Sequence, residues 1–323
     1  MPTVVLTHAL PGPADARLRD AGFDVVTLDA DGPPTREAVL DAVAGATGLV
    51  TLLSDRVDAA LLDAAGPSLR VVANYAVGLD NVDLDACRAR GVAVAHTPDV
   101  LSDATADMAW ALLLAVARRV VEGDALVRSG RWGGWAPDQL LGTSLSGRRF
   151  GVVGFGRIGQ AAARRATGFG MEVAYAARTP KPEAEAALGA QHLPLETLLR
   201  TADVVSLHTP GTPETHHLID AAALDAMKPT ALLINTARGT VIDEAALVAA
   251  LRSGAIAGAG LDVFEREPAL AAGLAEQPNV VLAPHLGSAT TDTRAEMAGM
   301  VADAVIAVAA GGTVPHLAVA PTP

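Results

Sequence analysis

Three charged residues, each placed just past a strand-like run, have the side-chain types that reduction of a carbonyl group needs. Arg238 lies in Asn235-Thr236-Ala237-Arg238-Gly239. Glu267 lies in Asp262-Val263-Phe264-Glu265-Arg266-Glu267-Pro268, and His285 in Pro284-His285-Leu286-Gly287-Ser288. Hydride transfer to a carbonyl builds negative charge on its oxygen, and a histidine can supply the neutralising proton near neutral pH. A carboxylate beside the imidazole holds it in place and favours its charged form. A fixed arginine can bind a substrate carboxylate and polarise the adjacent carbonyl. Singly, each has an ordinary reading as a solvated or turn residue. Their order in a chain that also carries a dinucleotide-binding turn gives them a common role.

That turn is Phe150–Gly170, FGVVGFGRIGQAAARRATGFG. An apolar strand, Phe150–Val153, runs into Gly154, Gly156 and Gly159 at G-x-G-x-x-G spacing, and a helical pattern follows. Gly154 permits a sharp turn, Gly156 lets a phosphate approach the backbone, and Gly159 lets the helix pack on the sheet. The helix start, at Arg157 and Ile158, offers unpaired N–H groups and a positive dipole end to a pyrophosphate. The next strand, Glu172–Ala176, ends at Ala177-Arg178-Thr179, where the residue that reads the adenosine ribose belongs. An NAD-type site places Asp or Glu there. Arg178 instead can grip a 2′-phosphate through two bonds, so NADPH is expected in preference to NADH, with NADH still usable.

The elements that must position these groups alternate between strand and helix. Residues 3–96 read as strands Thr3–Leu6, Asp24–Leu28, Gly48–Leu53, Arg70–Ala73 and Val92–Ala95 with helices between them, a parallel α/β pattern. Two loops at strand ends stand out, Leu53-Ser54-Asp55 and Asn74–Asp80. The second, with Ala76, Val77 and Gly78, is small and rich in N–H groups that could hold a carboxylate. Residues 101–129 read as one long helix linking the first body to a second whose strands begin near Leu145. Strands at Val204–His208, Ala231–Asn235, Gly258–Asp262 and Val280–Leu282 continue the second body, and a last helix over 289–310 crosses back to the first. The expected architecture is α/β: two Rossmann-like or flavodoxin-like parallel-sheet domains with an interdomain active-site cleft. Their bounds are 1–100 plus 290–323 for substrate binding and 101–289 for the nucleotide.

Composition narrows the class. At 323 residues with 50% hydrophobic content, the chain can bury two sizeable cores. A net charge of −12 argues against nucleic acid or an anionic membrane as a partner. A local arginine can still bind an anionic substrate inside a pocket. The single cysteine, Cys87, excludes an internal disulfide and reads as a small core residue. No signal peptide is apparent, and the longest apolar run, Met108–Ala117, is about half a membrane span, so a cytoplasmic protein is expected. No metal enters this reading.

In combination, LLSD at 52–55, NYAVGLDNVD at 74–83, TADMAWALLL at 105–114, VVGFGRIG at 152–159, NTARG at 235–239, DVFEREP at 262–268 and APHLGSAT at 283–290 resemble the D-isomer-specific 2-hydroxyacid dehydrogenases, nearest the glyoxylate/hydroxypyruvate reductase branch. The resemblance covers nearly the whole chain. It implies that Arg238 binds the 2-oxoacid, that His285 is the acid/base and that Glu267 is its partner. Glu265 is the rival, and the E-P step of the motif favours Glu267. It also implies that Val77 and Gly78, in the loops with Leu53 and Ala76, hold the substrate carboxylate through N–H groups. Around the cofactor it implies Thr105, Arg157, Ile158, His208, Thr209, Pro210, Thr215, Thr236 with Ala237, Asp262, His285 and Gly287, besides Arg178 and Thr179. Members are usually homodimers joined through the cofactor domains, so Trp135 is expected to reach toward the neighbouring subunit's site. Asp99, where a small residue is common, and the tail Val314–Pro323 depart from the pattern. The implied reaction is NADPH-dependent reduction of glyoxylate or hydroxypyruvate to the D-2-hydroxyacid, with domain closure excluding water. The rivals are a 2-ketogluconate reductase, a phosphite dehydrogenase, and a non-catalytic NAD(P)H-sensing scaffold like the corepressors built on this fold.

Overall fold

The computed structural model describes residues 1–28, 32 and 34–321, and these form two compact units, Met1–Leu101 with Ser288–Pro323, and Ser102–Gly287. The last two residues of the expected 290–323 segment lie outside the described residues.

In the first unit the elements run β1 (Thr3–Leu6), α1 (Ala14–Asp20), β2 (Asp24–Thr27), α2 (Arg36–Ala42), β3 (Gly48–Thr51), α3 (Ala59–Ala65), β4 (Val71–Asn74), α4 (Leu84–Ala89) and β5 (Ala93–Ala95). Asp58 and Asp83 start α3 and α4 by accepting from the N–H groups of Leu61 and Ala86, the usual side-chain cap. Strands β1 to β5 are parallel in the order 5-4-3-1-2, the flavodoxin-like arrangement. Buried Val, Leu and Ala on the sheet face form the core, with Cys87 fully buried among them. Burial pushes its thiol up to about 11, so it stays protonated and inert.

The second unit holds α5 (Ser102–Ala117), α6 (Val120–Arg128), β6 (Arg149–Val153), α7 (Arg157–Gly168), β7 (Glu172–Ala176), α8 (Pro182–Leu188), β8 (Gln191–His192), α9 (Leu195–Thr201), β9 (Val204–Leu207), α10 (Ala221–Ala226), β10 (Leu232–Asn235), α11 (Glu244–Ser253), β11 (Gly258–Leu261) and β12 (Val280–Leu282). Its seven strands are all parallel, in the order β12-β11-β10-β9-β6-β7-β8. The chain leaves β6 for β7 on one side and later returns to β9 on the other. The glycine turn after β6 therefore sits at the topological switch point, where open α/β sheets bind ligands. The chain then re-enters the first unit as α12 (Thr291–Ala309) and β13 (Leu317–Val319). The latter adds an antiparallel edge strand against β5.

Two expectations need correction. The single helix over 101–129 is two helices, because Arg119 adopts a left-handed backbone (φ 54°). Tertiary structure causes the break: the Thr143 N–H donates to the Ala117 carbonyl at 2.8 Å, taking the acceptor that a continuing helix would use. Nor is the first half only a link between the two bodies. It is a core element of the second unit. Trp110 stacks with both Phe150 and Phe169, and its Nε1–H donates to Ala162 O at 2.9 Å. A Cβ on Gly260 of β11 would stand 2.9 Å from Leu112 Cβ, so helix and strand pack as closely as glycine allows. Asp99 also has a structural account: its φ of 72° lies in the region that Asp, Asn and Gly tolerate best.

Candidate functional site

Because the strands of the second unit are all parallel, their carboxyl ends share one edge, and every cofactor residue expected between 154 and 287 follows one of those ends. Gly154–Gly159 follow β6, Arg178 and Thr179 follow β7, and His208–Thr215 follow β9. Thr236–Arg238 follow β10, Asp262–Glu267 follow β11, and His285–Gly287 follow β12.

The three glycines differ in what forces them. Gly154 has φ +88°, and a Cβ there would lie 2.5 Å from the His208 carbonyl oxygen. A Cβ on Gly159 would lie 2.2 Å from the Gly154 oxygen. Nothing lies within 4 Å of a Cβ on Gly156. The protein's own packing does not require glycine at 156, and the open space lies at the start of α7, whose first N–H groups have no side-chain cap. That combination suits a pyrophosphate.

Further along the edge, other groups fit the remainder of a nicotinamide dinucleotide. Asp262 is buried, and its Oδ1 accepts the Leu286 N–H at 2.6 Å. Burial raises its carboxyl above the usual aspartate range, against the pull of the Leu286 N–H and the charge of His285. Thr236 Oγ1 and His208 Nδ1 are buried without a partner among the described residues, so each has a polar atom left for a ligand. Burial pushes the His208 imidazole down to about 4, and its Nε2 pairs with Ser206 Oγ at 2.8 Å. It is therefore a neutral group at physiological pH. Thr105 reaches the Gly287 carbonyl at 3.2 Å. Thr215 shapes its own loop, donating to Pro210 O at 2.6 Å and accepting from Thr212 N at 2.8 Å. Arg178 is exposed at the end of β7. Glu214 sits below the usual glutamate range, through a Thr212 hydrogen bond first and the Arg178 charge last, which puts the guanidinium near that loop.

The three candidate catalytic groups are together. His285 Nδ1 is 2.9 Å from Glu267 Oε2, and the Phe264 N–H donates to Glu267 Oε1 at 3.0 Å. Burial pushes the Glu267 carboxyl up. The His285 hydrogen bond, the Phe264 N–H and the charges of His285 and Arg238 outweigh it, leaving the group below its usual range. Arg238 thus acts on the same carboxylate that orients the imidazole. The rival Glu265 turns elsewhere, its Oε1 lying 3.1 Å from His217 Nε2.

The backbone under these groups is fixed by residues that sequence reasoning passed over. Buried Asn235 donates to Arg238 O at 2.9 Å and accepts from Ala237 N at 3.0 Å, closing the turn that presents Arg238. A Cβ on Gly239 would lie 1.8 Å from Phe264 C, so the turns after β10 and β11 touch through their backbones. His285 has φ 57° and its N–H donates to Asp262 O at 2.8 Å. An asparagine as the last residue of a buried strand was the available signal for Asn235.

In the first unit, Val77 and Gly78 lie in the loop after β4, and their N–H groups make no hydrogen bond among the described residues. Buried Asn74 donates to Gly78 O at 2.9 Å, Asn81 donates to Leu52 O and Asp55 O, and His96 Nδ1 bonds Val77 O at 2.9 Å. Leu53 is exposed beside that network, and Ala76 is buried, its carbonyl accepting from Thr97 N.

Comparison with known proteins agrees with this edge. A family model described as D-isomer specific 2-hydroxyacid dehydrogenase, NAD binding domain, matches residues 110–287. A glyoxylate reductase of Thermococcus litoralis is 50% identical over 320 residues, 98% of this chain and 96% of that protein. A crystal structure of a protein from Thermus thermophilus superposes with a TM-score of 0.92 at 50% identity, covering 98% of this chain and all of that one. The NADPH-dependent glyoxylate/hydroxypyruvate reductase of Sinorhizobium meliloti, solved with NADP and malonate, has a TM-score of 0.83 at 37% identity, covering 98% of this chain and 96% of that one. With a nucleotide-binding edge, an oriented imidazole and an arginine in place, the chain belongs to the D-isomer specific 2-hydroxyacid dehydrogenase family and is an NAD(P)-dependent oxidoreductase.

Proposed function

We propose that this chain reduces glyoxylate and hydroxypyruvate to the D-2-hydroxyacids, with NADPH preferred, as a cytoplasmic homodimer. The observation that carries the reading is the 2.9 Å bond between His285 Nδ1 and Glu267 Oε2, with the Arg238 charge acting on the same carboxylate. The Thermococcus relative, a glyoxylate reductase, supports the first substrate, and the Sinorhizobium relative, a glyoxylate/hydroxypyruvate reductase, supports both. Residues 1–101 with 288–323 serve the substrate and residues 102–287 the nucleotide. Gly154, Gly156 and Gly159 with the N–H groups of Arg157 and Ile158 hold the pyrophosphate. Asp262, Thr236 and the 208–210 loop hold the nicotinamide side. When bound, the nicotinamide supplies the hydride. Arg238 binds the 2-oxoacid and polarises its carbonyl, and the Val77 and Gly78 N–H groups take its carboxylate. The other ring nitrogen of His285, Nε2, gives a proton to the carbonyl oxygen, while Glu267 fixes the ring and balances its charge. The apolar side chains exposed between residues 120 and 141, Val120, Val121, Val127, Trp132, Trp135 and Leu141, support a dimer formed through the second unit.

The cofactor preference rests on Arg178. We expect a higher kcat/KM with NADPH than with NADH when glyoxylate is the substrate. Arg178→Ala lowers the NADPH/NADH ratio by about tenfold or more, the loss of one charge-assisted phosphate contact. A wild-type enzyme that favours NADH overturns the preference without touching the reaction. Steady-state rates of NADPH oxidation against a panel of 2-oxoacids also separate glyoxylate reduction from 2-ketogluconate reduction, and phosphite-driven reduction of NADP+ tests the other rival.

Gly156 gives a cleaner probe of the pyrophosphate site than its neighbours. Gly156→Ala meets no protein atom within 4 Å, so its melting temperature stays within about 2 °C of wild type. The NADPH KM rises by about tenfold, roughly 1.4 kcal/mol, because the methyl group takes the space of a phosphate oxygen. Gly154→Ala, whose methyl group would strike the His208 carbonyl, loses stability as well. An unchanged KM in Gly156→Ala removes that glycine from the binding site.

A further inference from the structure

We propose that His216, His217 and Glu265 form a site for one divalent transition-metal ion of the Zn2+ class, separate from the His285–Glu267 pair. One ligand atom from each of the three residues lies within 4.8 Å of the others. All three belong to the second unit. The site does not depend on the reductase reading.

The local backbone explains how consecutive histidines can serve one ion. In an extended chain, neighbouring side chains point to opposite faces. His216 is extended, with φ −61° and ψ 124°, but His217 takes a left-handed φ of 50°. With that kink the two rings lie on the same side, stacked with centroids 4.0 Å apart and planes 28° apart. His217 is anchored through its N–H, which donates to Thr240 O at 2.8 Å. Glu265 is anchored through its own N–H, which donates to Glu244 Oε1 at 2.9 Å. Two main-chain contacts therefore hold the two inner ligands, and the exposed His216 ring completes the set.

Donor chemistry selects the ion. Two imidazole nitrogens and one carboxylate oxygen suit Zn2+, Co2+, Ni2+ or Cu2+, whereas Mg2+ and Ca2+ take oxygen ligands. Tetrahedral Zn2+ with bonds of about 2.0–2.1 Å needs its donors roughly 3.3 Å apart. His217 Nε2 and Glu265 Oε1 are already 3.1 Å apart, and a His216 ring nitrogen lies within 4.8 Å of the donors of both residues. A water fills the fourth position. The bound ion clamps the loop after β9, which carries Thr215, to the segment after β11, which carries Glu267. It replaces a hydrogen bond with coordination, so its first effect is on stability.

The test uses the full-length chain after chelator treatment, titrated with ZnCl2 by calorimetry, and with CoCl2 by visible absorption. The expected result is one equivalent of Zn2+, a rise in melting temperature on binding, and the d–d bands of four-coordinate Co2+. His216→Ala, at an exposed position, keeps wild-type reductase activity and weakens Zn2+ binding at least about 10-fold. Glu265→Gln weakens it likewise, and His285→Gln leaves it unchanged. No stoichiometric binding overturns the proposal and leaves His217 and Glu265 as a hydrogen-bonded pair. Binding that survives His216→Ala, or that is lost in His285→Gln, also overturns it by placing the ion elsewhere.

Discussion

Replacing His285 by glutamine is expected to lower kcat for glyoxylate reduction by about 10²–10⁴-fold, the usual contribution of a positioned general acid. NADPH binding, read from its fluorescence, should stay within about threefold of wild type, because most cofactor contacts lie on other turns of the edge and the main chain that carries Gly287 is unchanged. The fold has little reason to change. His285 is held by its main-chain N–H on Asp262 O, and the next N–H, that of Leu286, bonds the Asp262 carboxylate; both bonds survive the substitution. Glutamine preserves a donor for Glu267 and approximate size, but its amide has no proton to give at neutral pH. Glu267 is held anionic, below its usual range, so it balances a charged imidazole and would balance nothing in the variant. A kcat within about threefold of wild type would falsify the acid role of His285. An equal loss of cofactor affinity would instead make the histidine a structural part of the turn.

Some of this site could be read in the order of residue types, and some could not. The strand, glycine turn and helix from Arg149 to Gly168 are local: an apolar run, three glycines and an alanine-rich helix leave one way to connect. Strand β7 falls at Glu172–Ala176 in both readings because a short apolar run is bounded by Gly170 and Pro180. The turns after β10, β11 and β12 were visible because polar motifs follow apolar strands there. What stayed hidden depends on contacts distant in sequence. The helix break at Arg119 comes from Thr143, 24 residues on, and no local breaker marks it. Strand β8 has two residues, both exposed, and offers no periodicity. The Asn74–Asn81 network looks like a plain polar loop until the strand ends are placed in space. The His216–His217–Glu265 cluster needs both a left-handed kink and a contact across 48 residues.

Arg238 should prove as sensitive as His285, though in a different constant. Arg238→Gln is expected to reduce kcat/KM for glyoxylate by about 10²–10³-fold, the range seen when one preorganised donor to a developing oxyanion is removed. Arg238→Lys keeps the charge but loses the planar fork, so it should recover only part of that loss. The turn at this position is held by main-chain contacts besides the bond that Arg238 Nη1 donates to Ala237 O at 2.8 Å. Asn235 holds the Arg238 carbonyl, and Gly239 sits against the Phe264 main chain with no room for another residue. Melting temperature is therefore expected to stay near wild type in both variants. The charge change also reaches Glu267, because the Arg238 guanidinium is one of the groups holding that carboxyl low. The sign follows from the direction of that shift. Losing the cation lets the Glu267 carboxyl rise toward its ordinary value, so the acid side of the rate profile moves to higher pH in Arg238→Gln, and less so in Arg238→Lys. Above neutral pH the carboxylate is ionised in either case, and there the whole loss belongs to substrate binding and carbonyl polarisation. Measuring kcat/KM from acid to alkaline pH thus separates the two effects of one residue. If the loss appears only on the acid side and vanishes in alkaline buffer, Arg238 serves Glu267 alone and the substrate must be bound by another group.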